Sequence, residues 1–316
     1  MEMSVTQEKL VPQLSRWLER YHLKLSRLRQ RGVPVTLAGV REGMEILSRN
    51  LAGKVPEIKL ILDEVSPGPN GPISLRCYHP APERCLPVLI YLHGGGHVAG
   101  SLATADPICR RLAYTTNHLV VSVDYRLSPE YPYPAGLIDC AAVLAEIQKL
   151  LERAGLPWLN CISLAGDSAG GSLAASLANS PQLFDPTTLH SLILLYPGLD
   201  YTLKYAARSV AGTGYLLEYE QLQWYMDHTF PDPEDRREHS PLYSDLRGDY
   251  PSTFLLTVGY CPLAEEGLLY ADRLRAAGVD LLHHHEPGMI HGYLGLYDLT
   301  GSYCDDLYQR IATFLQ

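Results

Sequence analysis

The segment Leu164-Ala165-Gly166-Asp167-Ser168-Ala169-Gly170-Gly171 joins two kinds of sequence pattern. The apolar run 161–165 leads into it and reads as a buried strand, and the small-residue run 169–178 leaves it and reads as a helix. Gly-x-Ser-x-Gly lies between them. A chain that turns sharply from strand to helix holds the middle residue in a strained conformation, and glycines on either side remove the side chains that would collide. The Ser168 hydroxyl then stands above the edge of a sheet. The helix behind it offers unpaired backbone N–H groups and the positive end of its dipole. A free serine is a poor nucleophile, so a base must be sought elsewhere in the chain.

Working outward, strand patterns fall at 73–78, 87–92, 119–123, 192–196, 254–258 and 281–285. Several are continuous Val/Ile/Leu runs, as expected of strands buried on both faces. Helical patterns lie between them at 105–115, 135–153 and 263–277. This alternation predicts a largely parallel sheet with helices on both sides. Before it, Leu10, Leu14, Leu18, Tyr21, Leu25 and Leu28 form a helical stripe, and a second helix is expected at 37–51. The interval 200–250 breaks the alternation, with one helical pattern at 218–228. An insertion there falls at the carboxyl edge of the sheet, where ligands bind. The expected division is a helical cap from 1–50 plus 200–247 and a core from 51–199 plus 248–316.

With 316 residues, 46% hydrophobic and 19% charged, the chain can bury one large core. A net charge of −9 argues against nucleic acid and anionic membrane surfaces as partners. Seven cysteines without a CxxC pair read as free thiols in a reducing compartment. The charged segment 1–14 does not read as a signal peptide, and no stretch is long enough to span a bilayer, so the cytoplasm is the expected location.

Two further motifs carry chemistry. His93-Gly94-Gly95-Gly96 directly follows the strand at 87–92, and its glycines let the backbone approach a substrate and aim N–H groups at an oxyanion, together with the N–H of Ala169. The sequence after Gly96 is His97-Val98-Ala99, which does not continue as a phosphate loop. His93 is expected to fix the loop rather than act as a base. His291, in Pro287-Gly288-Met289-Ile290-His291-Gly292, follows the last expected strand and comes late in the chain order that a Ser…acid…His relay requires. His283, His284 and His285 alternate sides of a strand and read as polar residues of an edge rather than as metal ligands. No metal or organic cofactor is expected.

HGGG, then Asp124-Tyr125-Arg126-Leu127-Ser128-Pro129-Glu130, then GDSAGG, then PGMIHG, together resemble the hormone-sensitive-lipase-like branch of the α/β-hydrolases, which includes bacterial acetyl esterases and carboxylesterases. The likeness spans about residues 70–316. It implies an α/β-hydrolase fold with a mostly parallel eight-stranded sheet, a helical cap and hydrolysis of short acyl esters. It further implies Ser168 as nucleophile, His291 as base, and Gly94, Gly95 and Ala169 as oxyanion donors, with Gly96 a further candidate. Pairing of two copies through an edge strand is also implied by resemblance.

The chain departs from that pattern twice. His97 stands where an aromatic residue usually follows HGGG. Cys261, in Val258-Gly259-Tyr260-Cys261-Pro262-Leu263, stands where the family has the relay aspartate. A thiol with a pKa near 8.5 is mostly neutral at pH 7 and is a weak acceptor. Replacing the carboxylate of such a relay with a neutral group costs about 10⁴ in turnover in the serine proteases, roughly 5.5 kcal/mol of barrier. Two carboxylates are candidates to substitute. If a helix begins at Pro262, Glu265 can lean back over Cys261 while Glu266 faces elsewhere; Asp200, after the preceding strand, is the second. Glu265 is preferred. The leading expectation is a serine carboxylesterase for small-molecule esters. The rivals are a weakly active or non-catalytic ligand-binding protein of the same fold, and an amidase or other acyl hydrolase.

Overall fold

A computed structural model describes residues 9–316. The first eight residues of the expected 1–50 cap segment, and of the stretch weighed as a signal peptide, lie outside the described residues.

Two helices open the chain, α1 (Pro12–Gln30) and α2 (Leu37–Leu51). Leu14 and Leu18 of the α1 stripe are buried. Thr36 caps α2 by accepting the N–H of Gly39 at 3.1 Å. Strands β1 (Leu60–Gly68), β2 (Gly71–His79) and β3 (Leu86–Leu92) follow, then α3 (Leu102–Thr116), β4 (Leu119–Val123), α4 (Ala135–Arg153), β5 (Trp158–Asp167), α5 (Ala169–Ala178) and β6 (Leu189–Leu195). The interval after β6 holds α6 (Tyr219–Thr229) and the short α7 (Asp235–His239), and β7 (Ser252–Tyr260), α8 (Ala264–Ala276), β8 (Leu281–Ile290) and α9 (Tyr297–Phe314) complete the chain.

The eight strands form one sheet in the order β1-β2-β4-β3-β5-β6-β7-β8. The pairs β1–β2 and β2–β4 are antiparallel, and every other pair is parallel. Side-chain alternation divides the interior into two layers. On β3, Leu89 and Tyr91 point into the layer covered by α1, α3 and α9. Val88, Ile90 and Leu92 point into the layer covered by α4, α5 and α8. Central strands buried on both faces explain the uninterrupted Val/Ile/Leu runs.

The relevance of this fold to chemistry is where the strands end. β3, β5, β6, β7 and β8 run parallel, so their carboxyl ends share one edge of the sheet. HGGG follows β3, Ser168 follows β5, Tyr196 and Asp200 follow β6, Cys261 follows β7 and His291 follows β8.

The opening helices and the 200–247 interval meet over that edge. Glu218 lies 3.6 Å from Arg29 and 4.0 Å from His22 of α1. Arg41 of α2 donates to Val98 O at 2.8 Å and Ser128 O at 3.2 Å, and forks onto Glu130 at 2.8 and 2.7 Å. The Asp124–Glu130 segment therefore ties α2 to the loop that follows HGGG. Its Arg126 forks onto buried Asp139 at 2.8 and 2.7 Å.

Candidate active site

Ser168 sits at φ 52° and ψ −120°, a strained conformation for a residue with a Cβ. The neighbours that hold it there leave room only for glycine. A Cβ on Gly166 would overlap the Gly170 backbone, and a Cβ on Gly170 would overlap the Leu92 carbonyl. The Ser168 N–H donates to Leu195 O at 2.9 Å, which anchors the turn to β6.

The Ser168 hydroxyl lies 2.8 Å from Nε2 of His291. His291 is 7% exposed, and its burial pushes the imidazole pKa down to about 3. The ring of Tyr196 packs against it with centroids 4.9 Å apart. On the other ring nitrogen, Nδ1 lies 3.2 Å from Sγ of Cys261. Cys261 is 1% exposed, burial pushes its thiol pKa up, and its sulfur also accepts the Leu263 N–H at 3.4 Å. With the ring pushed down and the thiol pushed up, both groups are neutral.

Neither expected substitute carboxylate reaches the ring. Glu265 forks onto Arg208 at the surface, with Nε 3.1 Å from Oε2. Asp200 turns back on its own loop, accepting from the Thr202 hydroxyl at 2.5 Å, the Thr202 N–H at 3.0 Å and the Lys204 N–H at 3.1 Å. The reason lies in helix register. α8 begins at Ala264 after a turn through Pro262 and Leu263, rather than at Pro262. Neighbouring side chains diverge by about 100° on a helix, and in this register Glu265 faces solvent while Glu266 faces inward. Glu266 is fully buried and accepts the N–H groups of Leu199 at 2.6 Å and Asp200 at 3.2 Å. Desolvation holds its pKa well above the usual carboxylate value.

The glycine loop also differs in one member from expectation. The Gly94 N–H donates to Asp167 Oδ1 at 2.7 Å, so it is engaged within the protein. The same oxygen accepts the Tyr91 hydroxyl at 2.6 Å, and burial pushes the Asp167 pKa up to about 6 against these bonds. The N–H groups of Gly95, Gly96 and Ala169 donate to no protein group among the described residues. Gly96 adopts φ +63°, and any Cβ there would overlap the Tyr225 ring. His93 stands behind the loop: its ring stacks on Tyr125 with centroids 4.3 Å apart, and its Nδ1 lies 2.9 Å from Gly94 O.

A narrow cleft of about 40 Å³ opens over Ser168, lined by Gly96, His97, Tyr201, Leu222, Tyr225 and Leu263 among others. His97 is buried at φ 64°, and desolvation pushes its pKa down to about 4, so it lines the cleft as a neutral ring. The three-histidine run lies on edge strand β8. His283 and His285 share the Thr257 hydroxyl at 2.9 and 2.8 Å, while His284 pairs with Glu286 at 3.0 Å. Among the described residues, no group of three or more His, Cys, Asp or Glu side chains could hold a metal ion.

Sequence reasoning overlooked Asp167 and set Glu266 aside as facing elsewhere. A charged residue inside a run of glycine, alanine and serine was the available sign for Asp167. For Glu266 the sign was present, but the helix register was misplaced.

A sequence profile described as alpha/beta hydrolase fold matches residues 89–295. The chain is 34% identical over 251 residues to an esterase, LipI, of Mycobacterium tuberculosis, covering 76% of each protein. It is 35% identical over 279 residues to the carboxylesterase NlhH of the same species, covering 83% of this chain and 85% of that one. A solved structure of a Pyrobaculum calidifontis esterase superposes with a TM-score of 0.82 at 31% identity, covering 97% of this chain and 98% of that one. The parallel sheet, the strained serine and these matches agree, and the chain belongs to the α/β-hydrolase fold family, in its hormone-sensitive-lipase-like esterase branch.

Proposed function

We propose that this protein is a serine ester hydrolase acting on small carboxylic esters. The observation that carries the reading is the 2.8 Å approach of His291 Nε2 to Ser168 Oγ on a strained turn beside unpaired N–H groups. Ser168 Oγ attacks the ester carbonyl as its proton passes to Nε2. The N–H groups of Gly95, Gly96 and Ala169 receive the oxyanion. The C–O bond to the alcohol breaks, and Nε2 returns its proton to the departing oxygen. Water then gives a proton to Nε2 and its oxygen to the acyl carbon. Collapse releases the acid and restores the serine.

A narrow cleft of about 40 Å³ suits a short acyl chain better than a long one. The segments 9–50 and 200–247 are assigned as the cap over it, supported by the Glu218–Arg29 pair and the Tyr225 ring against Gly96. All seven cysteines are unpaired, which supports a reducing compartment, the cytoplasm, as the site of action. No helix among the described residues is long and apolar enough to cross a membrane. Pairing of two copies through an edge strand of the sheet, β1 or β8, belongs to the same proposal, and sedimentation checks it.

The test is turnover of 4-nitrophenyl acetate and butyrate. The native protein hydrolyses both, and Ser168→Ala loses that activity. Unchanged turnover in Ser168→Ala contradicts the proposal. A second reading, a weakly active or purely ligand-binding protein, draws on the neutral thiol beside His291. A stoichiometric burst of 4-nitrophenol separates the two, because a binder releases none.

A further inference from the structure

A histidine that takes a proton at Nε2 must carry its own proton on Nδ1, so the group facing Nδ1 decides whether the ring is ready to act. An ionised carboxylate only accepts hydrogen bonds and allows one tautomer. A thiol both donates and accepts weakly. With S–H pointed at Nδ1, the ring proton moves to Nε2 and the serine has no base. With Nδ1–H pointed at sulfur, the base is ready. The 3.2 Å contact between Cys261 Sγ and His291 Nδ1 is therefore a chemical choice.

No carboxylate competes for that position among the described residues. Glu265 is held by Arg208, Asp200 by Thr202 and Lys204, and Glu286 lies on His284. Asp167 accepts from Tyr91 and Gly94, and Glu266 from Leu199 and Asp200. The side chains that face the ring are Ser168 after β5, Tyr196 after β6 and Cys261 after β7, all neutral. The Leu263 N–H also donates to the sulfur, at 3.4 Å.

We propose that Cys261 is the positioning residue of a carboxylate-free relay, in which a neutral thiol receives the Nδ1–H of His291 in the reactive tautomer. This rests on the assignment of Ser168 and His291 made above. Two consequences follow. The imidazolium formed during acyl transfer has no negative partner, so turnover is slow for the family. The ring, buried and facing only neutral groups, stays unprotonated well into the acid range. The kcat/KM profile therefore lacks the acid limb near pH 6.5 that a histidine of ordinary pKa gives.

The experiment measures kcat, KM and the pH profile on 4-nitrophenyl butyrate for Cys261→Asp, Cys261→Ser and Cys261→Ala, with circular dichroism and thermal melting as checks of folding. Cys261→Asp is expected to raise kcat at pH 8 by at least about tenfold, within the 10⁴ ceiling set by carboxylate loss in serine proteases. KM should change little, and an acid limb should appear as the carboxylate raises the ring pKa. Cys261→Ala should lower kcat roughly tenfold with a near-native melt, and Cys261→Ser should fall between Ala and the parent. If Cys261→Ala turns over like the parent, the thiol does not position the ring. A folded Cys261→Asp with no gain and an unchanged pH profile overturns the inference equally. Should Cys261→Asp not fold, the Ala and Ser variants decide alone. Ser168→Ala measured alongside separates the two levels: activity surviving there removes the assignment of Ser168 as nucleophile on which this inference rests, whereas activity lost there but indifferent to residue 261 removes only the thiol.

Discussion

Asp167 holds Gly94 by a hydrogen bond of 2.7 Å from the glycine N–H to the buried carboxylate. The residue beside the proposed nucleophile thus fixes the loop proposed to supply the oxyanion donors. Asp167→Ala leaves both the Gly94 N–H and the Tyr91 hydroxyl without their partner. The expected cost is about 1–3 kcal/mol of stability and at least about tenfold in kcat, since donor geometry governs oxyanion binding. Asp167→Asn, whose amide oxygen still accepts, should cost less. Urea unfolding and ester kinetics check both.

Gly96 combines φ +63° with direct apposition to Tyr225. Gly96→Ala should lose at least about 1 kcal/mol from backbone strain and reduce kcat more than KM, because the displaced N–H acts in the transition state. Pairing it with Tyr225→Ala should recover part of the stability and little of the activity, since the strained φ persists.

Glu266 sets a pH dependence of stability. Its folded pKa is raised above the ordinary 4.5. Above that pH the unfolded chain releases a proton that the folded state keeps, so its contribution to stability falls as pH rises toward the folded pKa. Glu266→Gln keeps an acceptor for Leu199 and Asp200 without the ionisation. The variant should melt above the parent at pH 8, and the difference should shrink toward pH 5. Calorimetry across that range checks the sign.

Glu265 is a partly exposed residue paired with Arg208. Such pairs contribute about 0–1 kcal/mol. Glu265→Gln should leave ester turnover within about twofold of the parent. A loss of a hundredfold would return Glu265 to the role the sequence suggested.

The sequence revealed most where one physical demand dominated. Helices α2 and α4 lie at 37–51 and 135–153 as their apolar periodicity predicted, and β5 and its glycine-flanked serine turn were legible because burial and sterics leave few alternatives. Strand β1 escaped notice: it is a half-exposed edge carrying Asp63, Glu64 and Pro67, with no clean alternation. Helix α9 was equally hidden, since Gly301, Asp305 and Asp306 dilute its apolar stripe. Around the site, Ser168 and His291 could be placed from strand ends alone. The fate of Glu265, Glu266 and Gly94 could not, because a shift in helix start or one buried carboxylate changes which group faces the cleft.

The central claim is that acyl transfer passes through Ser168 with His291 as its base. Quenching the reaction with 4-nitrophenyl butyrate during the burst, and mapping the modified peptide by mass spectrometry, tests it most directly. The account predicts one butyryl group on the peptide carrying Ser168, absent in Ser168→Ala and formed far more slowly in His291→Ala. Acylation of another residue, or ester turnover undiminished in Ser168→Ala, would contradict it.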